Sequence, residues 1–269
     1  MKIEMRRLMW CGLLGALALM PQALHAQATA CANAIPAPTD GRGGEHIVYS
    51  IPASTTHWFT VQGFAGNSYS VEIFDPFDSG ANVPLPTIFK LSAFNTGTCT
   101  GTAFATTDTT FVAPGIDNLN FGPLAGRRVS FTAAATDDYL IQITSGSSGF
   151  VYTINASETT LFSTRWSTFS GFFTSYGFTN TTDVAISVTL KLIDTAGTVV
   201  ATFTQSVPAG RVIYTTTNAM GVAANDTGSA FLTHNGPPGG ILADAILANF
   251  GTSPPTTLVS KFEGRHAGH

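Results

Sequence analysis

The sequence predicts an all-β protein, with two tandem β-sandwich domains (jelly-roll-like, then Ig-like) after a cleaved signal peptide. Three observations carry this expectation. Apolar and polar residues alternate over short runs at regular spacing, the period-two mark of strands with one buried face. Only 10% of residues are charged, against about 25% in an average globular domain. Thr, Ser, Gly and Asn supply the polarity instead, and these residues favour strands and turns over helix interiors. The N-terminus, finally, has the three-part pattern of an export signal.

That signal begins with Lys2, Arg6 and Arg7 and continues as an apolar stretch from Leu8 to Met20. Pro21 and Leu24-His25-Ala26 then supply a cleavage site before Gln27, and a second site follows Ala28-Thr29-Ala30. The apolar stretch falls short of the roughly 20 residues needed to span a bilayer, so no membrane span is expected in the mature form. Cys11 follows Leu-Met-Trp, where a lipid-anchored protein has small residues, and so belongs to the discarded segment. The expected location is secreted, periplasmic or cell-surface. The expected boundaries are 1–26 for the signal, 27–157 and 158–263 for the two sandwiches, and 264–269 for a tail.

Without residues 1–26 the chain keeps nine of its 12 basic and 15 of its 16 acidic residues, a balance of −6. This mild acidity has no basic stripe within it, so no nucleic-acid partner is expected. Two cysteines survive maturation, Cys31 and Cys99, and in an oxidising compartment they predict one disulfide tying the mature N-terminus to a loop.

In the first half, strands are expected at His46–Ile51, Thr56–Gln62, Ser68–Phe74, Thr87–Phe94, Arg127–Ala133, Asp138–Thr144 and Phe150–Ala156, with a weaker one at Thr109–Ala113. Within Ser68–Phe74, Tyr69, Val71 and Ile73 are read as inward, and Ser68, Ser70 and Glu72 as outward. Tyr139/Ile141/Ile143 and Phe150/Tyr152/Ile154 flank Ser-Gly-Ser-Ser-Gly, which reads as a β-hairpin. In the second half, Asp183–Asp194, Thr198–Gln205 and Arg211–Thr216 read as a meander. Gly171–Thr179 supplies core aromatics, Thr217–Ala224 reads as a short helical turn, and Ile241–Phe250 as a strand.

The strand Thr56–Gln62, then Gly66-Asn67-Ser68-Tyr69-Ser70-Val71, then the closing block Arg127–Ala156 together resemble the bacterial pre-peptidase C-terminal domain. That family is a jelly-roll-like sandwich of exported proteins, often appended to a protease. The resemblance covers about half of the mature chain. With no protease domain in this sequence, it implies an accessory or binding role, and some relatives of that family bind calcium.

Candidate chemistry is sparse. No Gly-x-Ser-x-Gly elbow is present, and no Cys/His cluster has zinc spacing, so no enzymatic activity is expected. His46, His57 and His234 read as surface or rim histidines. Asp75, Asp78 and Asn82 concentrate oxygen ligands in one loop and are candidate calcium ligands, with Asp108, Asp117, Asn118, Asp137 and Asp138 as further donors. Trp58, Trp166, His234 and Asn235 are candidate ligand-binding residues, because rings beside amides suit sugars and peptides. The leading expectation is an exported, non-enzymatic binding or structural module, such as an adhesion or matrix accessory protein, that recognises a polysaccharide or extracellular protein. The alternatives are an accessory partner or inhibitor of an exported hydrolase, or a structural spacer. Mass spectrometry of the exported protein is expected to place its N-terminus at Gln27; a retained Met1 would overturn the cleavage.

Overall fold

The computed structural model describes residues 28–38, 47–76, 83–104, 107–113 and 124–264. Strands dominate, and the described helical pieces are two single 3-10 turns, Cys31–Asn33 and Phe169–Gly171. No helix among the described residues is long and apolar enough to cross a membrane. The first half contributes β1 (Ile35–Pro36), β2 (Val48–Ile51), β3 (Thr56–Gly63), β4 (Ser68–Phe74) and β5 (Thr87–Asn95). It continues with β6 (Thr100–Ala103), β7 (Thr107–Ala113), β8 (Leu124–Thr132), β9 (Asp137–Thr144) and β10 (Phe150–Glu158). The second half contributes β11 (Leu161–Ser167), β12 (Phe173–Asn180), β13 (Ile186–Asp194), β14 (Val199–Val207) and β15 (Val212–Thr216). It ends with β16 (Thr227–His234), β17 (Ile241–Asn249), β18 (Thr256–Lys261) and β19 (Glu263–Gly264).

Four sheets result, with orders β1-β3-β9-β5-β6, β2-β10-β4-β8-β7, β14-β13-β16-β11-β19 and β15-β12-β17-β18. Among the described residues no ladder joins a strand before Thr159 to one after Thr160. In the first half, chain-adjacent strands β2, β3 and β4 alternate between sheets, and β2 pairs with β10, the wrapping of a jelly roll. The inward residues Tyr69, Val71 and Ile73 of β4 and Tyr152 and Ile154 of β10 meet Phe59 of β3 and Tyr139, Ile141 and Ile143 of β9. Two inner faces filled by alternate residues make a sandwich core.

One connection differs from its sequence reading. β9 and β10 do not pair with each other: β9 lies between β3 and β5, and β10 between β2 and β4, in the opposite sheet. The segment between them is an arch, held where Ser145 Oγ donates to the Pro52 carbonyl at 2.5 Å and Ser54 N to the Gly146 carbonyl at 2.8 Å. Alternation states which face of a strand is apolar, and two apolar faces share a core equally well side by side or face to face. The meander of the second half is cut for the same reason. β13 and β14 form a hairpin, while β15 crosses to the other sheet beside β12. Residues 217–221 form hydrogen-bonded turns without a helix, and Ile241–Asn249 is a strand.

The second core gathers Tyr176, Phe178, Val188, Leu190, Leu192, Leu232 and Ala245 around Trp166. Gly228 sits opposite both Trp166 and Asp194, and a Cβ there would stand 1.8 Å from the Ile193 carbonyl oxygen. Only glycine lets β13 and β16 approach this closely.

Cys31 and Cys99 form the expected disulfide, with Cα atoms 5.7 Å apart. It lies on the outer face of the β1-β3-β9-β5-β6 sheet, where Ala28, Cys31, Trp58, Phe89 and Leu140 make a third small core. The bridge thus fastens the N-terminal segment over Trp58. Replacing both cysteines by serine is expected to lower unfolding free energy by about 2–4 kcal/mol and to red-shift Trp58 emission. Unchanged urea midpoint and emission would show that the bridge clamps nothing.

Candidate functional site

The two tryptophans named as ligand-binding candidates are core residues. Trp58 is 3% exposed, tilted against Phe89 and edge-on to Phe94. Trp166 is fully buried, its Nε1 donating to the carbonyls of Ile193 and Ser229 at 3.2 and 3.0 Å. A ring with no open face offers a ligand nothing to stack on. Trp58 does point away from the main core, as its position beside Phe59 requires, but the disulfide cluster covers it.

Both described histidines with a predicted rim position are also buried. His57 lies inside the first sandwich with Nδ1 2.8 Å from the Tyr152 hydroxyl, and burial lowers its pKa. Burial raises that of Tyr152. His46 lies outside the described residues. His234 is 5% exposed at the end of β16, where its Nδ1 accepts from Gly236 N at 3.2 Å. Burial, with the positive charge of Arg128 second, pushes its pKa down to about 4.

His234 and Asn235 stand where the halves meet. Only Thr159 and Thr160 separate β10 from β11, and both are buried. Thr159 Oγ1 donates to Ser68 Oγ at 2.8 Å, Ser68 N donates to Thr160 Oγ1 at 2.8 Å, and His234 N donates to Ser68 Oγ at 3.3 Å. Ser130 Oγ donates to the Asn235 carbonyl at 2.7 Å. The outer face of β4 is therefore covered and all seven of its residues are buried, in contrast to the outward reading of Ser68, Ser70 and Glu72. Glu72 is held 3.5 Å from Arg128 on the neighbouring strand.

A cleft of about 280 Å³ opens beside this seam, lined by Ser130, Thr132, Ser187, Thr189, His234 and Asn235 among others. Its polar groups are largely engaged with each other: Asn235 Oδ1 accepts from Ser187 N at 2.8 Å, and Thr189 Oγ1 lies 3.1 Å from Thr204 Oγ1. The cleft is the gap left by a hydrogen-bonded junction, in which the backbone N and carbonyl of His234 bond to Ser68 and Thr159 while its ring accepts from Gly236 N.

Of the candidate calcium ligands, Asp75 is buried just after β4, and Asp78 and Asn82 lie outside the described residues, as do Asp117 and Asn118. Asp108 is in β7 and Asp137 and Asp138 open β9. Asp137 accepts from Ser92 N at 3.1 Å and Asp138 N at 2.9 Å. Among the described residues no three His, Cys, Asp or Glu side chains gather as a metal site.

The surface that sequence reasoning missed is the outer face of the β15-β12-β17-β18 sheet. Register sets Val212, Thr179 and Leu242 in one cross-strand row, then Tyr214, Gly177, Asp244 and Lys261, then Thr216, Ser175, Ile246 and Val259. Val212, Tyr214, Leu242, Ile246 and Val259 are exposed, Tyr214 at 68%, and exposed Phe250 tilts against Phe173 nearby. The available signal was Tyr214 itself, flanked by the half-buried Ile213, which packs against the core. With apolar residues on both faces of β15, alternation does not say which side is open.

The fold and these sites define a two-sandwich protein whose buried His57, Glu72, Arg128 and His234 serve packing and the junction. No protein-family model and no curated protein matches the chain. Among solved structures it is similar, at 12% identity and a TM-score of 0.17, to a β-glucuronidase from glycoside hydrolase family 2. The match covers 87% of this chain and 26% of that one, so the chain spans about a quarter of that structure.

The junction histidine makes stability depend on pH. The unfolded chain takes up a proton on His234 near pH 6.5, and the folded chain resists it until about pH 4. The stability from keeping this ring neutral is complete above pH 6.5 and is lost as pH falls towards 4, by about 3 kcal/mol. His234→Asn, which keeps an acceptor for Gly236 N, is expected to lose less stability than the parent between pH 7.5 and pH 4.5 in urea titrations. Equal losses would overturn the assignment.

Proposed function

We propose that this chain is an exported, non-enzymatic binding module in which the first sandwich supports the second, and the second presents its outer sheet face to a polysaccharide or extracellular protein. The supporting observation is where apolar surface is left open. Among the described residues, 12 large hydrophobic side chains are exposed, and all but Leu85 come after Thr160. Large exposed apolar patches on folded proteins mark interaction sites. In the first half, by contrast, the disulfide cluster caps one sheet and the junction engages the other.

The resemblance of the first half to pre-peptidase C-terminal domains fits an accessory role, and the disulfide fits an oxidising compartment. The two-residue link and its buried hydroxyl bonds favour one stiff unit over two swinging domains. Export and binding stand together: a rigid, charge-poor sheet face held away from its support suits contact with an extended partner.

The test is an array of glycans and extracellular matrix proteins probed with the full chain. Binding to one class of ligand is expected, and the double variant Ile246→Glu, Val259→Glu is expected to weaken it by at least about tenfold, the equivalent of 1.4 kcal/mol. A blank across both sets would overturn the binding role. Full binding by the double variant would move the site elsewhere.

A further inference from the structure

The outer face of the second half's four-stranded sheet is not uniformly apolar, and its shape and polarity narrow what it takes. Its floor is β12, where three successive outward positions are Ser175, Gly177 and Thr179. β15 raises Val212, Tyr214 and Thr216 on one side, and β17 raises Leu242, Asp244 and Ile246 on the other. Small residues between larger ones make a shallow trough along β12, bridged at its middle, where Gly177 is buried beneath Tyr214 and Asp244. From Ser175 to Thr179 it runs roughly 13 Å at the usual rise per strand residue.

The middle of the trough is built around a missing side chain. A Cβ on Gly177 would stand 2.7 Å from Asp244 Oδ1 and 3.3 Å from Tyr214 Cε1. Both side chains therefore lean over the glycine from opposite strands, and any larger residue would push them apart. The Tyr214 ring is backed by the sheet yet open to solvent over most of its surface. Lys261 stands opposite Asp244 on β18 and completes the row.

We propose that this trough binds a neutral polysaccharide chain, with Tyr214 as the platform on which a sugar ring stacks and Asp244 and Lys261 as partners for its hydroxyls. The assignment deepens the reading of this face as the binding surface and rests on it. A flat ring held in place offers a large amphipathic contact at small entropic cost. Sugar hydroxyls both donate and accept, so one ligand satisfies a carboxylate that only accepts and an ammonium that only donates. The row carries one charge of each sign, which favours neither an anionic nor a cationic polymer. A flat protein surface seated here would have to desolvate Asp244 within its contact and Lys261 on the edge strand β18, a cost that needs matching charges on the partner. A polyhydroxyl chain, which stays partly hydrated along its length, avoids that cost.

The experiment is affinity electrophoresis of the full chain through gels containing xylan, glucomannan or hydroxyethylcellulose, with co-sedimentation on insoluble cellulose and chitin. Retention by at least one of these is expected. Tyr214→Ala is expected to weaken it by at least about tenfold, Tyr214→Phe to keep most of it, and Asp244→Asn to fall between. The ring is exposed, so Tyr214→Ala should melt close to the parent temperature, and circular dichroism checks this. Retention of the parent with undiminished binding by Tyr214→Ala overturns the trough and leaves the binding role of the protein standing. If no polysaccharide retains the parent but a matrix protein on the array does, or the chain self-associates in sedimentation, the glycan assignment fails and the face is a protein-binding one. Silence from every probe overturns both readings.

Discussion

Two residues join the halves of this protein, and both are buried. Thr159 and Thr160 leave β10 and enter β11 with no exposed linker between them. A chain segment out of water must place every backbone and hydroxyl group in a hydrogen bond, since one left unpaired costs about 1–3 kcal/mol. Ser68 meets much of that demand: its amide donates to Thr160, its carbonyl accepts from Thr159 N, and its hydroxyl accepts from Thr159 and from His234 N. Much of the rest of the architecture depends on this seam. It covers the outer face of β4, removes water from His234, and holds β13 and β16 of the second half against β8 of the first through Ser130 and Asn235.

The seam also divides the surface between the halves. In the first half the bridge between Cys31 and Cys99 draws the N-terminal segment over Trp58 and Phe89. On its opposite sheet, Glu72, Arg128 and Ser130 are buried. The second half uses one sheet for the junction, through Ser187, Thr233 and His234 at the ends of its strands, and leaves the outer face of the other open. Burial of apolar surface is worth roughly 25 cal/mol per Å², so a face that leaves Tyr214, Leu242, Ile246, Val259 and Phe250 in water forgoes stability that a polar face would not forgo. Such a face is explained more readily by a partner than by folding.

Much of the strand layout could be read in advance, because the alternation of side chains is strong. Ser68–Phe74 was legible to the residue, and Thr56, Thr87 and Phe150 open strands where the pattern begins. The disulfide was legible because Cys31 and Cys99 are the two cysteines outside the apolar stretch from Leu8 to Met20. Pairing was not. β9 and β10 look like a hairpin, since each carries three inward apolar residues across a glycine-containing connection, yet they face each other from opposite sheets. The candidate site was less legible still. Trp58, Trp166, His57 and His234 are residue types common in binding sites, and here all four serve packing. Tyr214 and Asp244 lie 30 positions apart and meet only because both strands flank Gly177.

By itself the amino-acid sequence determined which segments extend, which side of most of them is apolar, and which two cysteines pair, because these depend on local periodicity and on counting. Only the tertiary structure decided which strands are neighbours, which second faces are covered, and which rings remain in water. Those outcomes depend on what packs against a face from elsewhere in the chain, and a period of two residues carries no information about that.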